Sequence, residues 1–229
     1  MQSEFYRGAR ANLPLGLSAV AYGSVLGILA AQKGLTWVDI LFMNTTIFAG
    51  SAQFVMVDMW GAKLPVMEMV FAAFVINLRY LLIGASLESL FVGKSLGHKM
   101  SRIHLVADEN WAVTMAEHRN GTANTSFLFG GGVLLFFFWS FGTLVGLLGG
   151  GFIAHPEKYA LDFAFTAVFT ALAVSMWQGK KDIFPWCLAG ALALLAEHFL
   201  PGKWYIVIGG LGGSLAAMLR MPEEEGDHV

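Results

Sequence analysis

The sequence predicts an all-α polytopic membrane protein of about seven transmembrane helices, and three observations predict it. Of 229 residues, 56% are hydrophobic and only 13% are charged, against roughly 25% charged in a soluble domain, too few to coat a water-facing surface. Tracts with no charged residue recur at 11–32, 40–57, 120–156, 163–179, 183–196 and 204–219, most of them near the ~20 residues that cross hydrocarbon as a helix. Absent are the ~10-residue stretches of alternating apolar and polar character that a membrane β-barrel requires.

In order, spans are expected at 13–31, 38–57, 65–92, 128–153, 161–177, 185–199 and 204–219. Arg7 and Arg10 precede the first and resemble a signal sequence, but no small-residue cleavage site follows, so that span is expected to be retained. Pro65, Pro185 and Pro201 fall at expected helix ends, where a missing N–H does least harm. Asp39 and Asp162 open the second and fifth spans as helix caps or first-turn acids favoured by the dipole. The connector 93–126 carries Lys94, Lys99, Arg102, Asp108, Glu109, Glu117 and Arg119. It is too charged to cross and is expected to be a loop with an interfacial helix. The acidic tail is expected to be disordered.

The whole chain, 1–229, is expected to form one transmembrane transporter domain with a faint internal repeat. "YGSVLGILA" from Tyr22 matches "FGTLVGLLG" from Phe141 in aromatic, Gly, hydroxyl and apolar character, and "WVDILF" is echoed by "ALDFAF". Repeat 1 would cover about 11–92, repeat 2 about 127–200, and an extra helix 203–220. Three spans per copy is an odd number, so the copies would be inverted, an arrangement that places a substrate site at their interface. Under seven continuous spans, Lys33, Lys94, Lys99, Arg102, Arg119, Lys180, Lys181 and Arg220 face Arg7, Arg10, Lys63, Lys158 and Lys203 across the membrane. That bias is too small to orient the chain.

Function classes narrow by exclusion. The formal charge of −2 with no basic block excludes nucleic acid as the expected partner. Cys187 is the sole cysteine, which excludes an intrachain disulfide and any multi-cysteine metal site. No HExxH, GxSxG, Walker or dinucleotide fingerprint is present, and the six histidines show no metal-ligand spacing. The expectation is no catalytic residue, no metal and no cofactor. His104 and His118 are expected to be ordinary surface residues.

Arg79, deep in the third span, is the sharpest signal, because a guanidinium there cannot shed its charge and must face a partner, a cavity or a substrate. Glu68, Arg79 and Ser86 share a helical face, but eleven residues separate Glu68 from Arg79, ~16 Å along a helix. Its counter-anion is therefore either a carboxylate on another segment or a substrate carboxylate held by the bidentate fork. The second span carries Asn44, Thr46, Gly50, Ser51 and Gln53. These either pack helices together or mark a broken or re-entrant helix whose freed backbone lines a cavity. Asp162 is a candidate proton-coupling site. Glu68 and Asp108 are candidates for gating or coupling.

At these residues the chain resembles a known family. "LPLGLSAVAYGSVLGILAAQKGL", "FAGSAQF", "INLRYLLIGASL", "ADENWAV", "WSFGTLVGLLGG" and "LDFAFTAVF" are similar, in order and spacing, to the motif series of the AzlC family of branched-chain amino acid permeases. The resemblance implies a bacterial inner-membrane exporter of branched-chain amino acids, working with a small hydrophobic AzlD-like membrane subunit. It carries Gly50, Ser51, Gln53, Asn77, Arg79 and Asp162 over as signature positions. The function expected is a secondary transporter exporting Leu, Ile, Val and analogues such as Met, driven by protons. A passive pore for a small solute and a non-transporting assembly subunit are the alternatives.

Overall fold

The computed structural model describes residues 2–152, 179–200 and 204–219, with positions 166, 167, 170, 174 and 177. Every regular element among them is helical: α1 (Gln2–Ala11), α2 (Leu13–Gln32), α3 (Trp37–Thr46), α4 (Gly50–Asp58), α5 (Val66–Asn77), α6 (Arg79–Ser86), a 3₁₀ turn (Glu88–Phe91), α7 (Leu96–Ile103), α8 (Asp108–Arg119), α9 (Thr125–Gly150), a 3₁₀ turn (Lys180–Asp182), α10 (Ile183–Phe199) and α11 (Trp204–Leu219). Among the described residues three stretches are long and apolar enough to cross a membrane: α2, α5 with α6, and α9.

The centre of the molecule is a seam between α2 and α9. A Cβ on Gly16 would meet Leu134 and Phe138, on Gly23 Trp139 and Thr143, on Gly27 Thr143 and Leu147, and on Gly150 Ile28 and Ala31. Residue numbers rise together on both helices, so the two run in the same direction. Backbone carbonyls of one helix stand where a Cβ on the other would be, as Val20 does at Gly142 and Ser24 at Gly146. This is small-residue packing, in which dispersion between closely approaching backbones replaces side-chain interdigitation. The contacting segments are the two expected to be repeat equivalents. Inverted copies would set them in opposite directions, whereas these two segments run parallel.

Between α3 and α4 the chain turns back on itself. Thr36 caps α3 through a reciprocal pair: Thr36 N–H donates to Asp39 Oδ2 at 2.8 Å and Asp39 N–H to Thr36 Oγ1 at 3.3 Å. Ile47 and Ala49 then leave the helical region, with φ, ψ of −130°, 77° and −149°, 96°. Lys33 Nζ donates to Asp58 O at 2.7 Å, so the end of α4 lies beside the entry to α3. Val57 packs with Leu26, Ala30, Leu35, Ile40 and Leu147 in one buried cluster. Residues 38–57 are therefore a re-entrant hairpin with both ends on the side where α2 finishes. Its arms, of 10 and 9 residues, reach ~13–15 Å, half the ~30 Å of hydrocarbon.

The third span crosses the other way and bends at Leu78, whose N–H reaches Val75 O at 3.3 Å while its own carbonyl accepts from Leu81 N–H. At one end Met69 and Ala72 pack on Val55 and Met59. At the other Ile83, Leu87, Leu90 and Phe91 pack on Leu128, at the start of α9.

The connector differs from the expected surface loop, because α7 and α8 form a second hairpin directed inward. His98 on α7 lies against Thr125 and His118 on α8 against Ser89 and Ala123 O, so both arms begin level with the start of α9. Between them Leu105 and Asn110 reach Gly132, where their atoms would meet a Cβ, seven residues or ~10 Å farther along α9. The tip, Leu105 to Ala107, carries no charge and Val106 is buried. Most of the connector's charges sit toward the outer ends of its arms, so dipping inward leaves few of them to desolvate.

α10 and α11 pair antiparallel, with Gly209 and Gly213 against Ala189 and Ala193. α11 lies along α5 through the Trp204 and Phe71 rings and Gly210 on Val75. The expected span at 161–177 and the tail fall outside the described residues, apart from the scattered positions above.

Candidate functional site

The two hairpin tips and the bend of the third span meet at one place, and Arg79 joins them. Arg79 begins α6 just past the bend. Its Nη1 lies 2.7 Å from Asp108 Oδ2, on the first residue of α8, and its Nη2 donates to Ser51 Oγ at 2.9 Å, in the first turn of α4. The guanidinium carbon sits 5.4 Å from the Tyr80 ring centroid, within cation–π range. Arg79 Nε is buried without a hydrogen-bond partner. Of the two counter-anions open to Arg79 in the sequence, the structure shows the one on another segment, Asp108. Its side chain is 32% exposed and that of Asp108 44%, so a solute reaching the hairpin tips can touch both.

At the end of α3 the carbonyls of Met43 and Ile47 accept from Ile47 N–H and Ala49 N–H, and Gln53 brings each a second donor. Its Nε2 donates to Ile47 O at 2.7 Å and Met43 O at 3.3 Å, while its Oε1 accepts from Trp139 Nε1 at 2.8 Å. Gln53 is fully buried. A Cβ at Gly50 would fall 2.8 Å from the Trp139 ring, so glycine there lets the hairpin close against α9. His104, on the second hairpin, donates through Nε2 to Thr45 O at 2.8 Å, which fixes that nitrogen as protonated and ties tip to tip. At the start of α4 the extended Ala49 supplies no side-chain cap, leaving N–H groups of the first turn directed at the tip region.

The other expected residues divide. Asn77 ends α5 beside the bend, and its Oδ1 is buried without a partner. Asn44 is fully buried and donates to Thr143 Oγ1 at 2.9 Å and Ser140 Oγ at 3.3 Å. This holds α3 to α9, while Asn44 Oδ1 has no partner. Thr46 folds back, its hydroxyl donating to Phe42 O at 2.7 Å, and does not join the Arg79 cluster. Glu68 lies in the first turn of α5, at the opposite end of that helix from Arg79. Ser86, expected on the Arg79 face, instead accepts from Trp111 Nε1 at 2.8 Å. Asp162 lies outside the described residues. His104, Trp139 and Tyr80 were not expected at the site. A histidine in a polar connector and a tryptophan in an apolar span carry no local mark of such contacts.

Beside this cluster an apolar cavity of about 490 Å³ opens between α4 and α5, lined by Ile47, Met56, Trp60, Leu64, Val66, Met69, Val70, Ala73, Phe74 and Asn77. Val66, Val70 and Phe74 in its wall are more than half exposed, so it is an open groove along these helices. Ile47 from the helix break and Asn77 from the bend form its inner end, so apolar walls adjoin the polar groups. The arrangement can grip a charged head and cover an aliphatic tail. Among the described residues no cluster of His, Cys, Asp and Glu has metal-binding geometry.

Comparison with known proteins places the same residues in context. The family described as AzlC protein matches residues 14–153, a stretch that contains both hairpins, the bend and the seam. The chain is 26% identical to the inner membrane protein YgaZ of Escherichia coli, covering 94% of this chain and 90% of that one. It is 25% identical to a protein of Bacillus subtilis named branched-chain amino acid transport protein AzlC, covering 94% and 85%. An uncharacterized membrane protein of Helicobacter pylori is 26% identical over 84% of each chain. No solved structure matches.

Proposed function

Starting from its membership of the AzlC family, a family of transport proteins to which this multi-pass membrane chain belongs, we propose that it is a secondary transporter exporting branched-chain amino acids across a bacterial inner membrane. The observation that carries the reading is Arg79 at the meeting of two half-depth hairpins, held by Ser51 and Asp108 beside an apolar cavity. Arg79 would take the substrate carboxylate in its fork, assisted by the uncapped N–H groups of α4. Asn77 Oδ1 offers the ammonium an acceptor, which would relieve the cost of a buried acceptor left unsatisfied. The aliphatic side chain would lie against Ile47, Met56 and Phe74.

An apolar pocket separates substrates differing by one methylene by only ~1–3 kcal/mol. Valine, isoleucine and methionine should therefore all compete with leucine. Gly50, Gln53, Asn44 and Thr46 would act by shaping the broken helix. The coupling proton is assigned to Asp162 on its place in the sequence alone, with Glu68 a second candidate. A small hydrophobic AzlD-like membrane subunit would complete the assembly.

The test is counterflow of radiolabelled leucine into liposomes holding the chain with and without that subunit, for the native protein and Arg79→Gln at equal folded amounts. Saturable exchange that valine competes and the variant loses is the expected result. Absence of exchange from well-folded native protein under both conditions would overturn the reading and favour a pore or an assembly role.

A further inference from the structure

We propose that Asp108 is a second substrate-binding residue, which releases Arg79 and takes the ammonium group of the amino acid, so that the site recognises zwitterions. The inference rests on the transport reading above and adds a residue and a selection rule to it.

Geometry makes the exchange necessary. The ion pair of the site joins Arg79 Nη1 to Asp108 Oδ2, and the other guanidinium contacts are neutral, the Ser51 hydroxyl and the Tyr80 ring. A carboxylate arriving at Arg79 competes with Asp108 for the same fork. If Asp108 simply left, its ion pair would be given up with nothing in return, a cost that partial exposure reduces but does not remove. A zwitterion resolves this by supplying both charges together. Its carboxylate replaces Asp108 on Arg79 while its ammonium replaces Arg79 on Asp108. One internal pair becomes two external ones, and the net charge of the site is unchanged. A solute carrying only the anion, or only the cation, leaves one protein group without a partner. Both side chains are partly exposed, so neither must be uncovered first.

The same exchange releases a mechanical tie. Asp108 opens α8 on the inner hairpin, and Arg79 opens α6 after the bend. Their contact fastens the second hairpin to the third span, and binding a zwitterion undoes it. When the substrate leaves, the pair can re-form.

Two competitors test this in the leucine counterflow assay: 4-methylpentanoate, which lacks the ammonium, and 3-methylbutylamine, which lacks the carboxylate. Native protein should be inhibited by leucine and by neither analogue at matching concentration. In Asp108→Asn the half-saturating leucine concentration should rise about tenfold or more, as for a lost charged hydrogen bond. 4-Methylpentanoate should become a competitor comparable to leucine, while the amine stays inert. A merely structural role would lower exchange without changing that preference. Asp108→Glu keeps the charge but moves it, so it should retain discrimination while raising half-saturation, and it serves if the Asn variant does not fold. Native-like preference for leucine over 4-methylpentanoate in Asp108→Asn, or unchanged half-saturation in Asp108→Glu, would overturn the proposal. Native protein that exchanges no leucine would overturn the transport reading, and this one with it.

Discussion

Gln53 carries the first hairpin at the scale of a single residue. One amide gives a second donor to the two carbonyls at the helix break and accepts the Trp139 indole N–H. Replacing it by methionine keeps the volume but leaves the partly buried Trp139 indole N–H without an acceptor, at a cost of ~1–3 kcal/mol, while Ile47 O keeps its bond from Ala49 N–H. Gln53→Met should therefore melt several degrees below the native protein in detergent, whereas Thr46→Val, which removes only a local bond to Phe42 O, should stay close to native. An unchanged melting temperature for Gln53→Met would show that the amide is not what holds the break. Arg79 was legible from sequence because a guanidinium within an apolar run has few stable surroundings. Its choice between a protein carboxylate and a substrate carboxylate was not, since it depends on where a distant segment folds.

At the scale of elements, the two hairpins define the protein, and the sequence marks them unequally. Hydropathy counts apolar residues along the chain, and two arms of 10 and 9 residues add up to the length of one crossing. Only the clustered polar residues and Gly50 betrayed the turn. In the connector even that signal was hidden, because charges at the ends of the arms masked the uncharged tip at Leu105 to Ala107. The hairpin reading of 38–57 makes a direct prediction. In a Cys187→Ser background, Gln32→Cys and Gly61→Cys, both at exposed positions, should react with a membrane-impermeant maleimide from the same side of the membrane. Labelling from opposite sides would restore a continuous crossing.

For the whole molecule, the fold-back redistributes charge. The side where α2 begins carries Arg7, Arg10, Lys94, Lys99, Arg102, Arg119, Lys180 and Lys181, and the other side Lys33 and Lys63 among the described residues. The positive-inside rule then predicts an N-terminus and connector in the cytoplasm, whereas seven continuous spans lean weakly the other way. Asn120→Cys should be protected from the impermeant maleimide in intact cells and Gly61→Cys labelled, and the reverse pattern would refute this orientation.

The seam between α2 and α9 also limits how such a molecule can work. Where glycines bring two backbones into contact there are no rotamers to re-sort, so the pair cannot slide between alternative packings as side-chain interfaces do. It is a fixed post, and the hairpins meet it from opposite sides like the leaves of a double door, each joined to α9 by a few side-chain contacts. Spin labels on α2 and α9 should keep one separation with and without leucine, while a label on α8 moves relative to both. Alternating access would then need only two short leaves to change places in order, with the bulk of the protein at rest.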